Sequence, residues 1–263
     1  MAIPKDIIEL TPALDEWAIL VAYRGSIAHG MWLPSSEPNS IDDKDIMSVC
    51  VPPIDYYFGL KEFGSRGTKE IKQGEWDIVI YEIKKFIRLL AQGNPNVLMM
   101  LWLKDNFYIK KTAVGEHLIN NRNLFIGRHV YKAFTGYAYG QLHRMTHMAH
   151  KGYMGEKRKR LVEKFGYDTK NAAHLIRLLR MGAEFLKDGT LNVFRHDAQQ
   201  LLEIKRGEWT LEQVKKEAEH GFKIAEQTYI NSTLPEKPDM ESVNNLTIEI
   251  TSSWSVVNNP CIN

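Results

Sequence analysis

The chain has 263 residues, of which 25% are charged and 44% apolar, with a formal net charge of +2. This length supports a large core and two subdomains, and the composition is that of a soluble globular protein rather than a disordered one. A charge so close to zero neither requires nor excludes a nucleic-acid partner, and no apolar run approaches the roughly 20 residues that cross a bilayer.

In chain order, residues 4–16 read as a short helix or turn. The apolar run Trp17 to Tyr23 reads as a buried strand. Ser26 to about Trp32 opens a helix, and Leu33 to Ser40 is a polar loop. A second strand runs from Lys44 to Val51 and stops at Pro52-Pro53. Residues 62–74, with three glycines, read as loop. Trp76 to Tyr81 is a third strand. In the next segment Ile83, Phe86, Ile87 and Leu90 share one helical face, and Gly93-Asn94-Pro95 ends that helix. Asn96 to Leu103 starts another. Beyond about residue 113 strand signals fade, and residues 128–150, 157–165, 168–187, 195–205 and 210–230 read as helices. From Leu234 a tail rich in Pro and Asn carries one β-like run, LTIEI. The expectation is an α+β chain with an α/β half to about residue 115, a helical domain over 116–235 and a tail over 236–263.

Cys50 and Cys261 are the only cysteines and lie at no metal-ligand spacing, which fits a reducing compartment. The opening MAIPKDIIELT carries acids and has no long apolar stretch, unlike a secretory leader. The expected location is cytoplasmic, and the glycosylation patterns at Asn231 and Asn245 are chance matches.

The densest chemistry lies between residues 24 and 45. Gly25-Ser26 follows the first strand, and a turn of small residues that opens a helix can hold phosphate oxygens on backbone N–H groups. Asp43 and Asp45, at i and i+2 on the edge of the second strand, point to one face and can hold a divalent cation between them. A third acid is expected from a neighbouring strand, with Asp77 the first choice and Glu75 and Glu82 the alternatives. Asp42 is either a helper to this pair or a surface charge, and the surface charge is favoured. Taken alone, Gly-Ser is a plain turn and Asp-x-Asp a solvated strand end; their order and spacing together point to gripping a nucleoside triphosphate with metal help.

These residues carry a resemblance. Gly25-Ser-x-Ala-His-Gly followed by Asp43-x-Asp45 resembles the DNA polymerase beta superfamily of nucleotidyltransferases, in which the Gly-Ser turn binds triphosphate and the acids bind metal. One position departs: the residue before the first Asp is often Ser there and is Asp42 here. The chain is similar also to a family of predicted nucleotidyltransferases of bacteria and phages, some described as associated with RNA ligases. The similarity lies in Asp77-Ile-Val-Ile-Tyr81 with Lys85-Phe-Ile-Arg-Leu-Leu and Gly93-Asn94-Pro95, in Tyr167-Asp168-x-Lys170-x-x-x-His174-x-x-Arg177-Leu, and in Leu234-Pro-x-x-Pro238-Asp. It spans most of residues 20–240. The resemblance implies a nucleotidyltransferase-type mixed sheet in the N-terminal half and Asp43, Asp45 and Asp77 as catalytic metal ligands. It further implies Mg²⁺ or Mn²⁺ as cofactor, and Gly25, Ser26 and His29 at the nucleotide.

Lys170, His174 and Arg177, at i, i+4 and i+7, share a helical face. They are either a solvated face or a phosphate-binding cluster, and the resemblance favours binding of triphosphate or acceptor. His174 as proton carrier is the lesser reading. His143, His147 and His150 share a similar spacing but gain no completing ligand for zinc. The run Lys157, Arg158, Lys159, Arg160, with Tyr153 nearby, is either a nucleic-acid contact or a solvated surface. Phe134, Tyr137 and Tyr139 are expected in the core rather than as base-stacking platforms.

The expected function is a metal-dependent nucleotidyltransferase that moves a nucleoside monophosphate from a nucleoside triphosphate to an acceptor hydroxyl, with an RNA end such as that of tRNA favoured. The alternative is a catalytically quiet module that binds nucleotide or RNA. No membrane partner is expected.

Overall fold

A computed structural model describes residues 3–37, 40, 42–147 and 156–258. The three apolar runs form the centre of a five-stranded mixed sheet of order β3-β4-β2-β1-β5. Strand β1 (Ala18–Tyr23) is buried along its whole length and pairs antiparallel with β2 (Lys44–Cys50). Strand β2 in turn pairs parallel with β4 (Trp76–Glu82). Central strands covered on both faces need near-continuous apolar sequence, which is why these three are legible from composition.

The two outer strands correct the sequence reading. Residues 62–74 contain an edge strand, β3 (Thr68–Gln73), which pairs with β4 across the two-residue turn Gly74-Glu75. Gly74 has a φ of +58°, as such hairpin turns require. The opposite edge is β5 (Tyr108–Lys111), against β1. Both owe their conformation to backbone pairing with a neighbour rather than to apolar content.

Short helices α1 (Lys5–Ile8), α2 (Gly25–Ala28) and α3 (Asp55–Phe58) decorate the sheet ends. Helix α4 (Ile83–Ala91) buries Ile83, Phe86, Ile87 and Leu90, and α5 (Pro95–Leu98) and α6 (Ala113–Asn120) follow it. The second half is helical, with α7 (Val130–His147), α8 (Glu156–Phe165), α9 (Thr169–Asp188), α10 (Ala198–Arg206) and α11 (Leu211–Asn231). Helix α9 is its axis, and α7, α10 and α11 all pack on it. The β-like run LTIEI is instead part of α12 (Met240–Asn258). Val243, Leu246, Ile250 and Trp254 fall at helical spacing and are buried, and the helix docks on α4 and α6. One apolar core continues from β1 and β2 through α4 into α7, α9, α11 and α12. Among the described residues no helix is long and apolar enough to cross a membrane.

Candidate active site

The parallel register of β2 and β4 sets Asp45 directly opposite Asp77. Both therefore leave the sheet at the same end, and Asp43 lies one alternation earlier on the same face. These three acids line one cleft of about 360 Å³ together with Gly25, His29, Lys170, His174 and Arg177.

Gly25 belongs there for a steric reason. Its φ is +61°, and a Cβ at this position would run into the Asp45 carboxylate. Only glycine lets the α2 backbone approach the acid so closely. Ser26 in α2 and His29 are both buried, and the His29 Nδ1 donates to the Val193 carbonyl at 2.9 Å; of the two, His29 lines the cleft and Ser26 does not.

Arg24, which the sequence reading passed over, sits among the acids. Its Nη2 donates to Asp77 Oδ1 at 3.3 Å and lies 3.6 Å from Asp45 Oδ1, while Nε donates to the Ile46 carbonyl at 3.2 Å. Lys72 Nζ stands 3.6 Å from Asp77 Oδ2. Burial pushes the Asp45 carboxyl upward, the Arg24 and Lys170 charges pull it back, and Asp77 and Asp43 add to the rise. The acids thus form a half-buried negative cluster with a guanidinium inside it. Among the described residues no three His, Cys, Asp or Glu side chains are drawn together closely enough to hold a metal as they stand. The donor chemistry still fits a hard divalent cation, since carboxylate oxygens are its preferred ligands. Glu75 instead pairs with Lys44 at the sheet margin, and Glu82 caps α4 at the far end of β4 by accepting from the Lys84 and Lys85 N–H groups.

The opposite wall comes from α9. Asp168 caps it, accepting from the Asn171 N–H at 3.0 Å and from Arg158 at 2.9 Å. Arg158 is thereby held in the cleft lining, away from the rest of its basic run. Lys159 pairs with Glu156 and Arg160 is exposed; the Lys157 side chain lies outside the described set, as do Tyr153 and His150. Leu175, Ile176, Leu178 and Leu179 are buried. Arg177 is 5% exposed, and its Nε has no hydrogen-bond partner among the described residues; its Nη1 donates to the Met181 sulfur at 3.2 Å. Burial, with the nearby Arg195 charge, brings the Arg177 pKa down to about 9. His29 and His174 are held well below the ordinary histidine value, by burial first and then by Arg177. Both rings are neutral near pH 7, and Arg177 remains charged.

Two further expectations are corrected. Asp42 is not a surface charge: its side chain is 0% exposed and pairs with Lys205 and, at 3.3 Å, with Lys170. It also accepts from the Leu33 N–H at 2.9 Å. Of the three aromatic residues expected in the core, Phe134 is buried but Tyr137 is 38% and Tyr139 64% exposed. Tyr137 lines the cleft.

A family model described as the RNA repair pathway DNA polymerase beta family matches residues 17–249. No curated protein matches the chain. Among solved structures, a nucleotidyltransferase-like protein from Exiguobacterium sibiricum 255-15 aligns at 10% identity over 96% of this chain and 73% of its own, with a TM-score of 0.29. At that level of likeness it carries no argument.

Proposed function

The chain belongs to the RNA repair pathway DNA polymerase beta family and is a nucleotidyltransferase, and from that premise we propose that it transfers a nucleoside monophosphate from a nucleoside triphosphate to an acceptor hydroxyl on an RNA end, releasing pyrophosphate with the help of Mg²⁺ or Mn²⁺. The observation that carries this reading is the pairing of Asp45 with Asp77 in one cleft with Asp43 and the Lys170–His174–Arg177 face. Acids and cations on facing walls suit a substrate that is a polyanion at one end and reacts at a metal at the other.

Asp43, Asp45 and Asp77 would hold the cation, which neutralises charge on the transferred phosphoryl group. The missing Gly25 side chain lets the Asp45 carboxylate pack against the α2 backbone, which sets the acid beside the turn that would receive the phosphates. Lys170 and Arg177 would bind the β- and γ-phosphates as charges, with His174 as a neutral hydrogen-bonding group. The Arg177 Nε, without a hydrogen-bond partner among the described residues, supports this assignment, because a buried guanidinium N–H without an acceptor is costly until an anion arrives. The acceptor oxygen forms a bond to the α-phosphorus as the bond from that phosphorus to its bridging oxygen breaks. The hydroxyl proton passes to the Asp77 carboxylate and then to solvent, and pyrophosphate leaves with the bridging electrons. Arg158 and the neighbouring face of α8 would receive the RNA backbone. The chain divides functionally into a catalytic domain over residues 1–115 and a helical domain that supplies phosphate and RNA contacts.

The test is incubation of the protein with each of the four α-labelled nucleoside triphosphates, Mg²⁺ and total cellular RNA. Label moving to RNA in the wild type, and lost in Asp45→Asn and Asp77→Asn, is the expected result. Transfer that survives in both variants removes the acids from the mechanism, and label that stays on free nucleotide removes the activity.

A further inference from the structure

The cleft has a third chemistry that neither the acids nor the cations use. Beside the α9 cations lie Met99, Tyr137, Gln141 and Leu178. Tyr137 and Gln141 are one turn apart on α7 and so share a face. The Tyr137 hydroxyl accepts from Asn94 Nδ2 at 2.8 Å, which ties the ring to the loop before α5 while the rest of it remains in the cleft. Gln141 is 9% exposed, and its Oε1 is buried with no hydrogen-bond partner among the described residues. A buried amide oxygen without a donor loses its hydration uncompensated, so its retention at a cleft wall points to a donor brought by a ligand.

From this arrangement we propose that Met99, Tyr137 and Leu178 form the seat of the incoming nucleobase and that Gln141 reads its hydrogen-bonding edge. This rests on the nucleotidyltransfer reading above and adds to it the residue that contacts the base edge. The apolar side chains and the tyrosine ring offer a face to a flat heterocycle, as base–aromatic contacts do elsewhere. An amide presents one acceptor and one donor side by side. It therefore matches a base edge on which a donor adjoins an acceptor, and the buried Oε1 takes the base's N–H.

The chemistry of the edge defines a test that a packing role would not satisfy. A carboxylate at this position has acceptors only, and guanine alone among the four bases offers two adjacent donors, N1–H and the 2-amino group. Melting of the protein with each nucleoside triphosphate and Mg²⁺ is compared for wild type, Gln141→Glu and Gln141→Leu. In Gln141→Glu the affinity for GTP relative to each of the other three rises by roughly tenfold, the scale of one good base contact. In Gln141→Leu the order of preference flattens. A common loss across all four nucleotides in both variants, with ratios unchanged, overturns the assignment and leaves Gln141 a structural residue. The Asp45→Asn protein run alongside separates the two claims. If its nucleotide-induced stabilisation keeps the wild-type metal dependence, the catalytic reading fails; if that dependence is lost while the Gln141 ratios stay fixed, only the base-reading role fails. A wild type stabilised by no nucleotide overturns both.

Discussion

Lys205, on α10 of the helical half, donates from Nζ to the carboxylate of Asp42, the residue that precedes the acidic pair, and also to the Met31 carbonyl at 2.7 Å. Its partner lies 163 residues away in sequence. The pair pins the loop that carries Asp43 to the helices that carry the cations, so the two walls of the cleft are fixed relative to each other by a buried ion pair. Burial brings the Lys205 pKa down to about 8 despite Asp42. Burial raises the Asp42 carboxyl, but Lys205 and Lys170 together outweigh it and leave it below its ordinary value.

Breaking this pair from one side leaves a buried charge, and Asp42→Ala is expected to destabilise the protein by about 3–5 kcal/mol. Lys205→Met, which leaves Lys170 to balance Asp42, is expected to cost less. Chemical denaturation of both variants measures this; equal small losses would show that the pair is solvated and unimportant.

Arg24 Nη2 lies 3.6 Å from Asp45 and 3.3 Å from Asp77, between two of the carboxylates proposed to hold a divalent cation. Removing its charge makes the cluster more negative. A unit charge near 4 Å in a medium of effective dielectric about 20 is worth up to ~4 kcal/mol, and partial solvation reduces this to about 1–2. Arg24→Gln is expected to bind Mn²⁺ in the absence of nucleotide about tenfold more tightly, as read by electron paramagnetic resonance of free Mn²⁺. Weaker binding would show that Arg24 builds the site rather than holding its place.

Arg177 is a buried cation whose Nε lacks a hydrogen-bond partner among the described residues. Replacing it with methionine removes that cost, and Arg177→Met is expected to raise the melting temperature of the nucleotide-free protein by a few degrees, about 1 kcal/mol or more. The same change is expected to weaken triphosphate binding by roughly 10- to 100-fold, the scale of hydrogen bonds to charged groups. A variant that melts lower and binds unchanged would assign Arg177 to the fold alone.

His29 and His174 are held neutral by burial and by Arg177. The unfolded chain binds protons on them near pH 6.5, and the folded chain does so only at lower pH. Folding stability is therefore full above pH 6.5 and falls as the solution is acidified through that value, by up to about 1.4 kcal/mol per pH unit for each ring. Denaturation between pH 7.5 and 5 measures the slope, which His174→Gln is expected to reduce. A triphosphate bound beside Arg177 would raise both pKa values, so saturating nucleotide is expected to flatten the same slope.

The sequence alone determined the strands that are apolar on both faces, β1, β2 and β4, because continuous burial requires continuous apolar residues. It also determined which local groups share a face, since Asp43 with Asp45 and Lys170 with His174 and Arg177 depend only on strand and helix periods. The edge strands Thr68–Gln73 and Tyr108–Lys111 were decided by tertiary pairing, which supplies hydrogen bonds that composition does not announce. In α12 the β-branched residues of LTIEI favour a strand locally. Docking against α4 and α6 buries one face at helical spacing and overrides that preference. The same limit governs the cleft. Asp42 meets Lys205, Arg24 meets Asp77, and Tyr137 and Gln141 come to face the acids only once the chain has closed over long sequence separations. Burial and charge pairing at such distances are properties of the fold, and no local pattern encodes them.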